Sequence, residues 1–267
     1  MGASNMQAIR AALCGLARSI VVRLRRIVDR CCLERPTAQH ASRVSFHAGS
    51  ILLTAFRARN RAVKEMTDRN AAGQTGVLTA DAIVAIVIAA AATEAFINEL
   101  AENIGQYRQN AWDWAPDAIT SDMSAAADAI FDLEFIHRSV TEKYAAASAK
   151  LGKRFDKGGN PYQDFVRLME LRNAIMHIKP VRPSEAHSGE AITDELARQK
   201  RAMPREVIGL PWFDRLQTPE TARWACNAAR TIILGLLDLI PETSSDPLGL
   251  VKNLYQNHVG FQSEDWV

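Results

Sequence analysis

Tyr162-Gln-Asp-Phe-Val-Arg-Leu-Met-Glu-Leu-Arg-Asn-Ala-Ile-Met-His-Ile178 reads as an amphipathic helix that Pro180 must stop. Projected at about 100° per residue, Phe165, Leu168, Leu171, Ile175 and Ile178 share one broad apolar arc. Glu170, Asn173 and His177 fall together on the other side, since spacings of three and four return to one face. Arg172 belongs to neither set of neighbours. It points into the apolar arc between Leu168, Ile175 and Met176, about 140° around the axis from His177. An unpaired buried cation costs several kcal/mol, so this helix calls for an acidic partner.

A second helix offers one. In Asp81-Ala-Ile-Val-Ala-Ile-Val-Ile-Ala-Ala-Ala-Ala-Thr-Glu-Ala-Phe-Ile-Asn-Glu-Leu100, residues Ile83, Val87, Ala90 and Ile97 form an apolar stripe with Glu94 in its middle. Each helix thus sets one charge of opposite sign at the centre of an apolar face. The expectation is that Glu94 and Arg172 meet, with the Ala-rich surface allowing close approach. Such a pair can be a salt bridge that only fixes helix register, or it can belong to a site.

The rest of the chain points to an all-α protein. Hydrophobic residues make up 48% of the 267 positions, enough for a sizeable core. Ala is abundant, while Gly, Pro and β-branched clusters are sparse. The expected architecture is an up-and-down bundle of about five core helices over residues 45–240. A basic amphipathic N-terminal segment (1–44) precedes it and a tail (241–267) follows. In that segment Ile9, Leu13, Leu16, Ile20, Leu24 and Ile27 recur at helical spacing over residues 6–33. Residues 1–70 hold thirteen Lys/Arg against four Asp/Glu, a net +9, which leaves −7 for the remainder of a chain whose total is +2. Such a segment suits nucleic acid or an anionic membrane surface, or a helix docked on its own domain.

Within the bundle a helix is expected over 45–69, with Arg57, Arg59, Arg61 and Lys64 on its outer side. After the loop Asn70–Gly76, Thr79 reads as the cap of the Glu94 helix, which ends near Gly105. Trp112 and Trp114 lie in the next connection. They could stack on bases, but closing one end of the bundle is the plainer role. One long helix is expected over 122–151, carrying Ile130, Leu133, Phe135, Ile136, Val140 and Tyr144, with His137 as a surface or capping residue. Residues 179–217 form a Pro-rich connection with a short helical piece near Ile192–Arg201, long enough to form a lid beside His177. Thr218-Pro219-Glu220 then starts a closing helix through Trp224, Ala225, Ala228, Ile232, Ile233, Leu236 and Leu237, stopped by Pro241.

Several function classes find no support in the residues. The cysteines at 14, 31, 32 and 226 match no metal spacing and no disulfide framework, and six scattered His add no ligand cluster. No metal or cofactor is expected. No apolar run reaches the eighteen residues of a membrane span, no signal peptide is read at the start, and a cytoplasmic location is the default.

Arg172-Asn173-Ala174-Ile175-Met176-His177 resembles the Arg-Asn-x-x-x-His signature of HEPN domains, the helical module of prokaryotic toxin–antitoxin and defence systems. The surroundings are similar over roughly residues 80–240. A helix like Ala90–Asn98 stands upstream, the motif ends its own helix, and a Trp-containing helix closes the domain. The resemblance implies a helical bundle and, in many members, a metal-independent endoribonuclease in which the motifs of two subunits share a cleft. His177 would then be general base or acid on the ribose 2′-hydroxyl or the leaving oxygen. Arg172 would stabilise the charge on the scissile phosphate, and Asn173 would orient the His or the substrate. Glu94 and Glu170 would support them. Implied partners are RNA, a second copy of the chain and a separate antitoxin chain. Other members lack nuclease activity and serve as dimerisation or interaction modules, so the same residues leave a non-catalytic reading open.

Overall fold

The computed structural model describes residues 47–74, 78–109, 119–178, 188–205 and 210–240. Expectations for the basic segment 1–44, for Trp112 and Trp114, for the Pro180 stop and for the tail lie outside these residues. Among the described residues the chain is all-α, with eight helices. They are α1 (His47–Ala71), α2 (Ala80–Gln109), α3 (Ser121–Phe135), α4 (Val140–Lys150), α5 (Tyr162–Met176), α6 (Ser188–Arg198), α7 (Trp212–Arg215) and α8 (Pro219–Leu237).

α2 is the axis of the bundle. It packs against α1, α8, α3, α5 and α4, so it is apolar on more than one face. Ala82, Ala85, Ile86, Ala89, Ala90, Phe96, Ile97 and Ala101 are buried along it. The single stripe expected from sequence is too narrow, and Ile83 is only half-buried. The expectation about apolar length is corrected as well. An 18-residue window within Ala80–Gln106 reaches a mean hydropathy of 2.0, long and apolar enough to span by composition, with 67% of the window buried inside the bundle. Small Ala side chains at the crossings let α1 and α8 approach closely. Thr79 precedes α2, but its buried hydroxyl has no hydrogen-bond partner. The turn is made by the Thr79 carbonyl, which accepts from Ala82 N at 3.2 Å.

The long helix expected over 122–151 is two helices. α3 ends in a left-handed residue, His137 at φ 56°. His137 N donates to Glu134 O at 2.9 Å and Arg138 N to Leu133 O at 2.8 Å, the paired bonds of a Schellman ending. Ser139 then opens α4 with a capping box. Its hydroxyl accepts from Glu142 N, and the Glu142 side chain accepts from Ser139 N. Ser139-x-x-Glu142 is visible in the sequence, but the apolar residues Phe135 and Ile136 carry the helical period across the break. The consequence is exposure: Phe135 is 85% and Ile136 55% exposed.

α1 buries Leu52, Ala55, Phe56 and Ala58 against α2 and α8. Arg57, Arg61 and Lys64 face outward as expected, but Arg59 is buried, with its guanidinium over the Phe56 ring at 5.4 Å. α8 starts at Thr218, whose hydroxyl accepts from Thr221 N at 3.2 Å, and carries Pro219 in its first turn. It buries Trp224, Ala225, Ala228, Ile232, Ile233, Leu236 and Leu237, the expected set. α6 and α7 fill part of the Pro-rich connection. Gly189 is required there, because a Cβ at that position would meet the Trp212 ring at 2.5 Å.

Candidate functional site

α2 and α5 meet where each carries a charge. Arg172 Nη2 donates to Glu94 Oε2 at 2.8 Å, and Arg172 Nη1 donates to Asn173 Oδ1 at 3.0 Å. The Arg172 and Glu94 side chains are 29% and 38% exposed, so the pair sits at the mouth of the seam and not inside the core. The apolar arc of α5 explains this. Phe165, Leu168 and Leu171 are fully buried, whereas Ile175 is half-buried and Ile178 is 49% exposed. The arc opens over its last turn, and Arg172 uses the opening to bridge Glu94 on one side and Asn173 on the other.

A second cation approaches Glu94 from α4. Lys143 Nζ donates to Asn98 Oδ1 at 3.0 Å and to Glu134, and its side chain is only 2% exposed. Burial pushes the Lys143 ammonium below the ordinary lysine pKa, and the attraction of Glu94 opposes that shift. Glu94 and Asn98 are four residues apart on α2 and so lie on one face. Two short polar chains result, Glu134–Lys143–Asn98 and Glu94–Arg172–Asn173, joined through the field of Glu94. Lys143, Asn98 and Glu134 were not singled out from sequence. The signal was there for Lys143, which shares the face of Val140, Tyr144 and Ala147, all buried.

Beneath the charges the seam is closed. Tyr144 is fully buried, and its hydroxyl donates to Thr93 O at 3.0 Å. Burial raises the Tyr144 pKa well above its ordinary value, so it remains a neutral donor. Thr93 Oγ1 donates to Ala90 O at 2.7 Å and lies 3.6 Å from Met169 Sδ. The Tyr144 and Phe165 rings stand 4.8 Å apart between centroids. α2, α4 and α5 are thereby fixed under the polar layer.

His177 is the first residue beyond α5. Its N–H donates to Asn173 O at 3.0 Å, which closes the helix, and its imidazole is exposed with no hydrogen bond among the described residues. Glu170 is exposed and likewise unengaged, so it is not brought to Arg172 by any bond. Of the connection expected to form a lid beside His177, residues 179–187 lie outside the described residues. α6 and the turn after it are tied to the first half of α5, through Arg167 to Glu195 at 2.6 Å and Arg201 to Asp164 at 3.0 Å. Among the described residues no three His, Cys, Asp or Glu side chains come together to hold a metal ion.

Fold and site together define an all-α bundle that presents an anchored arginine, an asparagine and a free imidazole at one helix end. No family model matches the chain, and neither the curated proteins nor the solved structures contain a match to it.

Proposed function

We propose that the chain is a HEPN-like, metal-independent endoribonuclease of toxin or anti-phage type that acts as a homodimer. The observation that supports this most is the placement of Arg172, Asn173 and His177. Asn173 is exposed on the last turn of α5 and His177 directly after its end, and Arg172 is drawn to their edge by its bond to Asn173. The exposed imidazole takes the proton of a ribose 2′-hydroxyl, and the 2′-oxygen attacks the adjoining phosphorus. The 5′-oxygen leaves with a proton, which gives a 2′,3′-cyclic phosphate and a 5′-hydroxyl. Arg172 supplies positive charge to the phosphate oxygens as they gain negative charge. A second copy of the chain brings its own motif to the same cleft, and a separate antitoxin chain would restrain the activity. Such a protein works in the cytoplasm.

A non-catalytic helical interaction module is the second reading, and a specific observation favours it. Both terminal nitrogens of Arg172 already bond to Glu94 and Asn173, as in a purely architectural pair. RNA cleavage in EDTA by wild type and by His177→Ala decides between the two, with circular dichroism to establish equal folding. Cleavage that persists in EDTA and disappears in the variant is the expected result. A folded, dimeric wild type that cuts none of a range of RNAs would leave the interaction module standing.

A further inference from the structure

A cleft of about 570 Å³ lies at the other end of α5, between the turn after α6 and the first half of α8. This volume falls within the range of small-molecule sites. One wall is locked. Arg201 Nη1 donates to both oxygens of Asp164, at 3.0 and 3.2 Å, and the Arg201 carbonyl accepts from the Thr221 hydroxyl. That cation is neutralised. Lys200 and Arg223 also line the cleft, are exposed, and have no ion-pair partner among the described residues; the exposed carboxylate of Glu220 lines it beside them. The floor includes the ring of Trp224 beside Ala228 and Pro161, and Trp224 is 5% exposed with its indole N–H buried and unpartnered. Buried Trp N–H groups ordinarily find an acceptor.

The backbone fixes where Lys200 stands. It is the left-handed residue that ends α6, at φ 57°, with its N–H donating to Ala197 O at 2.9 Å and Arg201 N donating to Leu196 O at 2.8 Å. Glycine occupies this position without strain, and Asn, Asp and His enter it several-fold more readily than other residues. His137, at the equivalent end of α3, follows that preference. Lysine does not, and the side chain it adds there stands at the rim of the cleft.

We propose that this cleft binds a small phosphomonoester carrying a flat apolar group. The phosphate dianion sits between Lys200 and Arg223, and the apolar group packs against Pro161 and the exposed edge of Trp224. The site is independent of the Arg172–His177 chemistry, so either can fail alone.

Phenyl phosphate is the probe, titrated calorimetrically into the full-length chain, with inorganic phosphate and phenol as its separate halves. Phenyl phosphate is expected to bind more tightly than either half. The double variant Lys200→Gln/Arg223→Gln weakens it by about tenfold or more, through loss of two charge-assisted contacts. Both side chains are exposed, so the melting temperature stays unchanged, and Lys153→Gln, an exposed cation outside the cleft, has no effect on binding. Trp224→Phe removes the indole N–H together with part of the ring, and it lowers affinity without abolishing it. Phenyl phosphate binding no tighter than inorganic phosphate, or unaltered by the double substitution, would overturn the proposal.

Discussion

Glu94 and Arg172 hold each other at 2.8 Å across the α2–α5 seam while 38% and 29% of their side chains stay in solvent. The pair is therefore an aiming device more than a source of stability. Desolvation is partial, so neither the large cost nor the large gain of a buried ion pair applies. What the contact fixes is where the guanidinium points, toward Asn173 and the exposed end of α5.

A double-mutant cycle with Glu94→Gln and Arg172→Gln tests this. The expected coupling in urea unfolding is about 0.5–1 kcal/mol, the range of part-exposed pairs. A coupling near 3 kcal/mol would show that the pair behaves as a buried one.

Lys143 carries the opposite signature, because it is buried. Its folded pKa is depressed, chiefly by burial, so the folded chain holds this proton less tightly than the unfolded chain. Between that depressed value and the ordinary lysine value of about 10.4, the unfolded state binds more protons, and stability rises with pH. Wild type should gain stability on passing through that alkaline window, and Lys143→Met should lack the gain. At neutral pH Lys143→Met is expected to be neutral or stabilising by about 1 kcal/mol, because Glu134 is exposed and rehydrates when its partner goes. An identical alkaline slope in both proteins would refute this assignment.

The start of α4 rests on the cap at Ser139. Ser139→Ala should cost about 1 kcal/mol by removing the hydroxyl that accepts from Glu142 N. The bonds from Ser139 to the Glu142 side chain hold that carboxyl below its ordinary pKa. Their contribution is therefore present at neutral pH and lost as the pH falls through the depressed folded value. Wild type should lose more stability on acidification than Glu142→Gln does, as read by urea midpoints across the acid range.

Phe135 makes a contrary case, an aromatic side chain that the folded chain does not bury. At 85% exposure, Phe135→Ser should change the unfolding free energy by less than about 0.5 kcal/mol. With Phe131 and Ile136, exposed at 39% and 55%, it forms an apolar corner at the end of α3. A destabilisation above 2 kcal/mol in the serine variant would mean that the ring is packed in solution.

The existence of the helices was legible in the sequence because helical period is a local property. The α8 face from Trp224 to Leu237 and the α5 core of Phe165, Leu168 and Leu171 are buried as the spacing implied. The meeting of Glu94 with Arg172 was also legible, because opposite charges centred on two apolar faces leave few other arrangements. Tertiary structure decided the rest. Period alone ran 122–151 together, since Phe135 and Ile136 kept the rhythm while the cap at Ser139 broke the helix. Arg59 turned inward although it is charged, because its face of α1 is the one that meets the bundle. Lys143 became a buried neighbour of Glu94 only when α4 folded back on α2 and brought Asn98 and Glu134 within reach. Periodicity says which residues share a face. What that face meets depends on chain segments far away in sequence, and only packing brings those together.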